Sequence, residues 1–248
     1  MIQIRDLHKS FARKKVLAGV DLDIEPGQIT TIIGASGSGK SVLFKHIIGL
    51  LKPDSGSIRI DGEDITKLRE RELYRTVLKF GMVFQGGALF DSLTVGENVA
   101  FGIMKPDLTA AEVSRIVSLS LDQVGLPDDI NQVMPNELSG GMKKRVAIAR
   151  AIAKDPQIIM YDEPTTGLDP IMADIINNLI IKVNGSSKIT SIVITHNMVS
   201  AYKISDKIAV LYDGRIIESG VPDDIKNTRN PFVRQFIEGQ ADGPMQIR

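Results

Sequence analysis

Hydrophobic and polar positions along the chain follow two kinds of pattern. Short continuous apolar runs at residues 28–33, 157–162 and 189–195 are typical of strands buried on both faces of a sheet. Residues 41–51 instead place apolar side chains at the spacing of one helix face, at Leu43, Phe44, Ile47, Ile48 and Leu51. Because strand-like and helix-like segments follow each other in turn, we predict an α/β fold with a mainly parallel sheet.

The same patterns predict the remaining elements. Further strands are expected at residues 57–62 (with a turn), 77–85, 208–212 and 215–218, the last two joined as a hairpin at Asp213-Gly214. Helices are expected across most of residues 88–154, with loops at Pro106 and residues 126–129, and at 170–182, 198–204 and 231–238. For the polar tail at residues 240–248 two expectations stay open, namely disorder and a contact with another chain.

Composition limits the class of protein. The chain has 248 residues, of which 43% are hydrophobic and 24% charged, which fits one large or two small globular domains. Lys and Arg number 30 and Asp and Glu also number 30, so the basic excess of a dedicated nucleic-acid binder is absent and no nucleic acid is expected as a partner. The chain has no cysteine, which excludes disulfides, thiolate metal sites and thiol nucleophiles.

Membrane insertion and secretion are not expected from the sequence. Apolar stretches all stay well below the about 20 residues that cross a bilayer. Residues 1–6 lack the basic start and the apolar run of a secretory signal. We therefore expect a cytoplasmic chain, and any work at a membrane must come through a partner.

A glycine-rich loop lies between the first predicted buried strand and the first predicted helix. It consists of Gly34, Ala35, Ser36, Gly37, Ser38, Gly39, Lys40 and Ser41 and fits the pattern G-x-x-x-x-G-K-[ST]. The glycines let backbone N–H groups converge on phosphate oxygens, and the helix N-terminus adds its positive dipole end. Lys40 can reach the β- and γ-phosphates, and the Ser41 hydroxyl can ligate Mg²⁺. The alternative is a glycine-rich turn, but the strand–loop–helix context favours nucleotide binding.

Two acidic residues end the second buried run. Asp162 is placed to hold Mg²⁺, directly or through water, and Glu163 is the candidate that polarises an attacking water. A lone Asp-Glu pair at a strand end is usually solvated surface. Here the apolar residues before the pair predict a buried strand, and a phosphate loop lies elsewhere in the chain, so we favour the catalytic interpretation.

A third motif identifies a family. The segment Leu138-Ser139-Gly140-Gly141-Met142, followed by a basic helix, resembles the signature segment of the ABC-transporter ATPases. Other segments resemble further motifs of that family in the same order: Gln85 its Q-loop glutamine, Gly167-Leu168-Asp169 its D-loop and Thr195-His196 its switch histidine. Phe11 lies where the family places an aromatic residue that stacks on adenine.

The resemblance implies a fold and a domain organisation. It covers residues 1–238 as one ABC ATP-binding domain, leaving residues 239–248 as a C-terminal tail. The family fold is a P-loop NTPase (RecA-like) core with an antiparallel β subdomain and a helical subdomain, which is inserted here at about residues 88–155.

The resemblance also implies roles for individual residues. ATP and Mg²⁺ are the implied ligands, with Gln85 contacting the metal or water and His196 contacting phosphate. Ser139, Gly140 and Gly141 would face the γ-phosphate held by a second copy, so that a head-to-tail homodimer buries two ATP molecules. Asp169 would couple the two subunits. Structural alternatives stay open: Ser139 and Asp169 as helix N-caps, Phe11 as cover for a sheet edge and His196 as an ordinary histidine.

Three longer stretches, at residues 81–95, 138–145 and 160–171, resemble the ATPase of Mce/Mla-type lipid transporters. That group implies transport of phospholipid or another hydrophobic molecule by an integral-membrane permease, with the ATPase at the cytoplasmic face of the inner membrane. An Mce-domain substrate-binding protein and a small accessory cytoplasmic subunit are further implied partners. Asn197 departs from the acidic residue often found after the switch histidine.

Other functions stay open beside lipid transport. One alternative is an ABC importer ATPase for a polar solute. A soluble ABC ATPase acting on ribosomes or DNA is disfavoured, because the chain has one ATPase unit and no basic excess. For the permease we predict a docking groove at residues 86–99, lined by Leu89, Phe90 and Leu93, although these side chains could instead pack within the helical subdomain.

Overall fold

The computed structural model describes residues 1–103, 107–187 and 189–245. The strands are β1 (Ile2–Phe11), β2 (Lys14–Ile24), β3 (Ile29–Ile33), β4 (Ser55–Ile60), β5 (Glu63–Asp64), β6 (Phe80–Val83), β7 (Ile158–Asp162), β8 (Thr190–Ile194), β9 (Lys207–Tyr212) and β10 (Arg215–Gly220). The helices are α1 (Lys40–Ile47), α2 (Glu70–Val77), α3 (Val95–Ala100), α4 (Ala110–Gln123), α5 (Gly140–Ala153), α6 (Pro170–Ser187), α7 (Met198–Ile204), α8 (Pro222–Lys226) and α9 (Pro231–Glu238).

The chain divides into two compact units. The first unit contains residues 1–77 and the chain from residue 190 onward, and the second contains residues 78–189. Among the described residues, no helix combines the length and the apolar character needed to cross a membrane.

The first unit contains two groups of paired strands. An antiparallel sheet has the strand order β2-β1-β4-β5. In the other group β3 lies between β8 and β9 and runs parallel to both, while β10 pairs with β9 in an antiparallel hairpin. All five residues of β3 are buried, so the loop that follows this strand starts from a fixed point in the core.

The second unit is built around the signature helix α5. Strands β6 and β7 run parallel, with Phe80 opposite Ile158 and Val83 opposite Tyr161. Helix α5 approaches β6 closely, because a Cβ on Gly81 would lie 2.9 Å from the Ala151 carbonyl oxygen. Helices α3 and α4 also pack on α5. The unit therefore holds the start of α5 and the ends of β6 and β7 in one compact body.

Several sequence predictions are confirmed and others are wrong. The buried runs form β3, β7 and β8, and the hairpin forms at Asp213-Gly214 as β9 and β10. The predicted strand at residues 77–85 is too long, because Val77 ends α2 and only Phe80–Val83 is extended. The helix predicted at residues 41–51 ends at Ile47, since Gly49 adopts a left-handed φ of 76° that stops it. The loop predicted at Pro106 lies outside the described residues.

Residues 240–245 of the C-terminal tail make hydrogen bonds with α9. The Gln235 side chain, 3% exposed, donates to the carbonyls of Gln240 and Met245 at 3.3 Å each and accepts from the Met245 N–H at 2.6 Å. A Cβ on Gly243 would lie 2.4 Å from the Gln235 side chain, so a larger residue at this position would displace the end of that side chain and its hydrogen bonds. Residues 240–245 therefore pack on α9 of their own chain, and the expected disorder is wrong for them.

Candidate functional site

The phosphate loop leaves β3 and enters α1, both in the first unit. A Cβ on Gly34 would lie 2.3 Å from the Leu211 carbonyl oxygen, so only glycine permits this approach of the loop to β9. Gly39, the N-cap of α1, has a φ of 106°, which favours glycine over any residue with a side chain. Backbone geometry alone thus requires glycine at positions 34 and 39, independently of any bound ligand.

The loop has the features of an anion site. Helix α1 begins without a side-chain cap, and the buried Ser38 hydroxyl has no hydrogen-bond partner among the residues that the structure describes. Lys40 is 8% exposed, and its Nζ donates to the Gly34 and Ala35 carbonyls at 2.7 and 3.0 Å. These contacts hold a positive charge beside the uncapped helix start, which is the arrangement that phosphate oxygens require.

Two further predicted site residues belong to the first unit. Phe11 ends β1 with 44% of its surface exposed, and Lys9 Nζ lies 5.6 Å from its ring centroid. His196 follows β8 and is exposed. Asn197 caps α7, since its side-chain oxygen accepts from the Ser200 N–H at 3.0 Å. Asn197, which stands where an acidic residue is often found, therefore serves as the N-cap of α7.

The two acids lie at the end of β7 in the second unit. Glu163 has a left-handed backbone, with a φ of 49°. Its carbonyl accepts from the Thr166 N–H and from Lys144 Nζ, each at 3.3 Å, and its carboxylate accepts from the Thr166 hydroxyl at 3.0 Å. The Glu163 carboxylate and backbone are therefore both fixed by neighbours in the same unit.

The signature segment starts α5 with a capped turn. The Ser139 hydroxyl accepts from the Met142 N–H at 3.3 Å, so the N-cap interpretation is confirmed. Ser139 and Gly140 are exposed, while Gly141 is buried. A Cβ on Gly141 would lie 2.2 Å from Cε of Met172, so a larger residue at this position would require the flexible end of the Met172 side chain to move.

Asp169 and Gln85 take part in local contacts of the second unit. The Asp169 carboxylate accepts from the N–H groups of Ile171 and Met172 at 2.9 and 3.0 Å, which confirms its predicted N-cap role for α6. Gln85 lies in the turn after β6 with an exposed side chain, and its carbonyl accepts a hydrogen bond from Lys144 Nζ. The roles predicted for these two residues in catalysis and subunit coupling stay predictions.

Sequence reasoning missed Lys144 and Thr166. Burial lowers the pKa of the Lys144 ammonium below its ordinary value, while the negative charges of Glu163 and Asp162 act in the opposite direction. The signal for Lys144 in the sequence was the basic run at residues 143–145, but this run was used only for the resemblance to lipid-transporter ATPases. Its contacts with Gln85 and Glu163 depend on long-range folding that a motif does not contain.

The described residues contain no cluster of three or more His, Asp or Glu side chains that could hold a metal. Mg²⁺ commonly takes few ligands from the protein and several from substrate phosphates and water. The hydroxyl of Ser41, the amide of Gln85 and the carboxylate of Asp162 are oxygen donors of the type that Mg²⁺ accepts.

A phosphate loop, an acidic strand end and a capped Ser-Gly-Gly helix start define an ATPase of the ABC class. A family model described as "ABC transporter" matches residues 17–166. The chain belongs to the ABC transporter family and to its ATP-hydrolysing subunits.

Individual proteins are similar over most of the chain. It is 39% identical to the intermembrane phospholipid transport system ATP-binding protein MlaF of Haemophilus influenzae, over 100% of this chain and 94% of that protein. It is also 39% identical to the probable ribonucleotide transport ATP-binding protein mkl of Mycobacterium leprae, over 98% of this chain and 70% of that protein. The post-hydrolysis dimer of the cassette MJ0796, bound to ADP and Pi, matches with a TM-score of 0.81 and 32% identity, over 90% of this chain and 99% of that one. The similarity is consistent with an Mla-type ABC ATPase.

Proposed function

We propose that this chain is the ATP-hydrolysing subunit of a transporter that moves phospholipid, or a related hydrophobic molecule, across a bacterial envelope. The observation that carries the proposal is the 39% identity, over the full chain, to a phospholipid transport ATP-binding protein. ATP binding and hydrolysis change the state of this subunit, and an integral-membrane permease provides the path for the substrate.

Nucleotide binding is the role of the loop at residues 34–41. The N–H groups at the start of α1 and the buried Ser38 hydroxyl donate to phosphate oxygens, while Lys40 supplies a full positive charge. The exposed Phe11 ring stacks on adenine. Ser41, Gln85 and Asp162 are the residues that would hold Mg²⁺, which would neutralise phosphate charge.

Hydrolysis requires a positioned base and contacts to the γ-phosphate. Glu163 orients and polarises the attacking water, and the Thr166 hydroxyl bonded to its carboxylate limits the rotation of the side chain. The exposed His196 donates to the γ-phosphate. These groups act through position and charge, as phosphoryl transfer in general requires.

Completion of the site requires a second copy of the chain. Ser139 and Gly140 are exposed at the N-terminus of the 14-residue helix α5, so its N–H groups can meet the γ-phosphate bound by a partner subunit. Gly141 gives the close packing under this turn, and Asp169 couples the two subunits. The solved cassette dimer bound to ADP and Pi supports this arrangement by similarity.

The permease docks on the segment at residues 86–99. The Asn98 amide donates to the carbonyls of Phe90, Leu93 and Thr94 at 2.9 to 3.1 Å and accepts from the Phe90 N–H at 2.8 Å, so the segment is rigid before any partner binds. Phe90 and Phe101 are 41% and 62% exposed, with ring centroids 4.5 Å apart. A preformed pair of exposed aromatic rings suits a partner helix.

The remaining partners follow from the lipid assignment. Docking on a permease places the chain at the cytoplasmic face of the inner membrane as a peripheral subunit. An Mce-domain protein would deliver or receive the lipid, and a small accessory cytoplasmic subunit would complete the complex. Transport of a polar solute is the less favoured alternative, although the relative mkl is described as a probable ribonucleotide transport protein.

Purification of the tagged chain from its native membranes tests the proposal. We expect a multi-spanning permease, an Mce-domain protein and phospholipid, which is extracted and identified by mass spectrometry. The Phe90→Asp variant should lose all three, while Val221→Asp, a control at a 52% exposed position, should retain them. A permease found with a binding protein for a polar solute, and without lipid, would contradict the lipid assignment.

A further inference from the structure

Lys144 connects the signature helix α5 to two other segments of the second unit, which carry the proposed site residues Gln85 and Glu163. It lies on α5, the helix that starts at the signature segment, and is only 5% exposed. Its Nζ donates to the Gln85 carbonyl and, at 3.3 Å, to the Glu163 carbonyl. A buried ammonium needs such acceptors, because an unpaired buried charge is costly.

The Glu163 backbone depends on contacts of this kind. Its φ of 49° is left-handed, a conformation that residues with side chains adopt only where their surroundings hold them. The Glu163 carbonyl accepts from Lys144 Nζ and from the Thr166 N–H. Loss of the Lys144 contact removes one of these two hydrogen bonds and lets the peptide, and with it the carboxylate, turn away.

The Gln85 loop is attached to the same helix at a second point. Arg150 donates to the carbonyls of Gly87 and Ala88 at 2.8 and 2.7 Å, and both of those residues have positive φ. Lys144 holds the Gln85 carbonyl about one and a half turns earlier on α5. The helix therefore fixes the loop at both of its ends.

We propose that Lys144 is a positioning residue for ATP hydrolysis, which holds the Glu163 backbone in its left-handed conformation and fixes the Gln85 loop to the signature helix. It acts through these two carbonyls and does not contact the nucleotide. The inference rests on the proposed role of Glu163 in hydrolysis.

The test compares Lys144→Met with Lys154→Met. Lys154, the C-cap of α5, donates to the Phe80 carbonyl of β6 at 2.9 Å, and burial lowers its pKa as well. Both variants lose a partly buried lysine–carbonyl bond, so both should lower the Tm. Only Lys144→Met should lower kcat, by about ten- to a hundredfold, with the Kd for ATP unchanged within about twofold, because the displaced group acts in the chemical step.

Lys144→Gln is a milder variant that keeps an amide donor. Its kcat should fall between those of the wild type and of Lys144→Met, because one carbonyl contact can be retained. A wild-type kcat in Lys144→Met, or equal losses of kcat in Lys144→Met and Lys154→Met, would overturn the inference.

A double-mutant cycle with Glu163→Gln separates positioning from general destabilisation. Because one of the two Lys144 contacts is to Glu163, Lys144→Met should reduce the residual hydrolysis of Glu163→Gln by a smaller factor than it reduces kcat in the wild type. A further loss as large as in the wild type would overturn the inference. Wild-type turnover in Glu163→Gln alone would instead contradict the role of Glu163, so the two failures are distinguishable.

Discussion

At the scale of single residues, backbone carbonyls hold two buried lysine side chains in place. Lys40 is nearly buried and bonded to two carbonyls of its own loop, so its charge is held at the start of α1. Lys144 is held in the same way, by carbonyls that belong to two other segments of its unit. In both cases carbonyl oxygens replace the water that a lysine would otherwise retain.

His46 makes the stability of the fold depend on pH. It is 1% exposed on α1 and donates from Nδ1 to the Val42 carbonyl at 2.7 Å. Burial lowers its pKa below 6.5, and the charge of Lys9 acts in the same direction, while backbone hydrogen bonds to Val42 and Lys52 and the charge of Asp54 oppose the shift. His46 therefore binds a proton more readily in the unfolded chain than in the folded chain, so the fold loses stability as the pH falls through the pKa that His46 has in the unfolded chain.

We predict that the Tm decreases from about pH 7.5 to about pH 5.5, and that His46→Asn reduces this decrease. The asparagine amide can still donate to Val42 but does not titrate. Thermal unfolding followed by circular dichroism across this pH range measures both slopes. Equal slopes in the wild type and in His46→Asn would exclude His46 as the source.

The residues that sequence could predict are those whose role is local. The phosphate loop and the caps at Ser139 and Asp169 depend on neighbours within a few positions, so their patterns were readable. The positive φ of Glu163 and the contacts of Lys144 depend on residues 19 to 59 positions away. Spacing along the chain contains no signal for such contacts.

At the scale of elements, β1, β2 and α2 were missed because their patterns are weak. Strand β1 mixes buried apolar residues with exposed charges and has register shifts against β2, which interrupt the alternation of faces. Strands β3, β7 and β8 were found because nearly all of their residues are buried. Burial on both faces is thus what made these three strands predictable.

The close packing of α5 on β6 can be tested with Gly81→Ala. The added Cβ would lie 2.9 Å from the Ala151 carbonyl oxygen, which is backbone and cannot rotate away. We expect a loss of about 1–3 kcal/mol in the free energy of unfolding. Gly86→Ala is the matched control, because nothing lies within 4 Å of its Cβ and it should unfold like the wild type. Chemical denaturation measures both, and equal stability of the two variants would contradict the close packing.

At the scale of the whole molecule, the proposed function requires two copies of the chain. Each copy offers a phosphate loop from its first unit and an exposed signature turn from its second. In the proposed dimer each ATP lies between the loop of one copy and the signature turn of the other. ATP then stabilises the dimer, and hydrolysis by Glu163 releases it.

The oligomeric state of Glu163→Gln in saturating Mg-ATP tests this account most directly. With hydrolysis blocked, we expect size-exclusion chromatography with light scattering to give about twice the 27.1 kDa of the single chain, together with bound, unhydrolysed ATP. The control Glu163→Gln with Lys40→Ala should stay at the single-chain mass, because it lacks the lysine that binds the phosphates. A single-chain mass for Glu163→Gln with ATP bound, or turnover at the wild-type rate, would contradict the account.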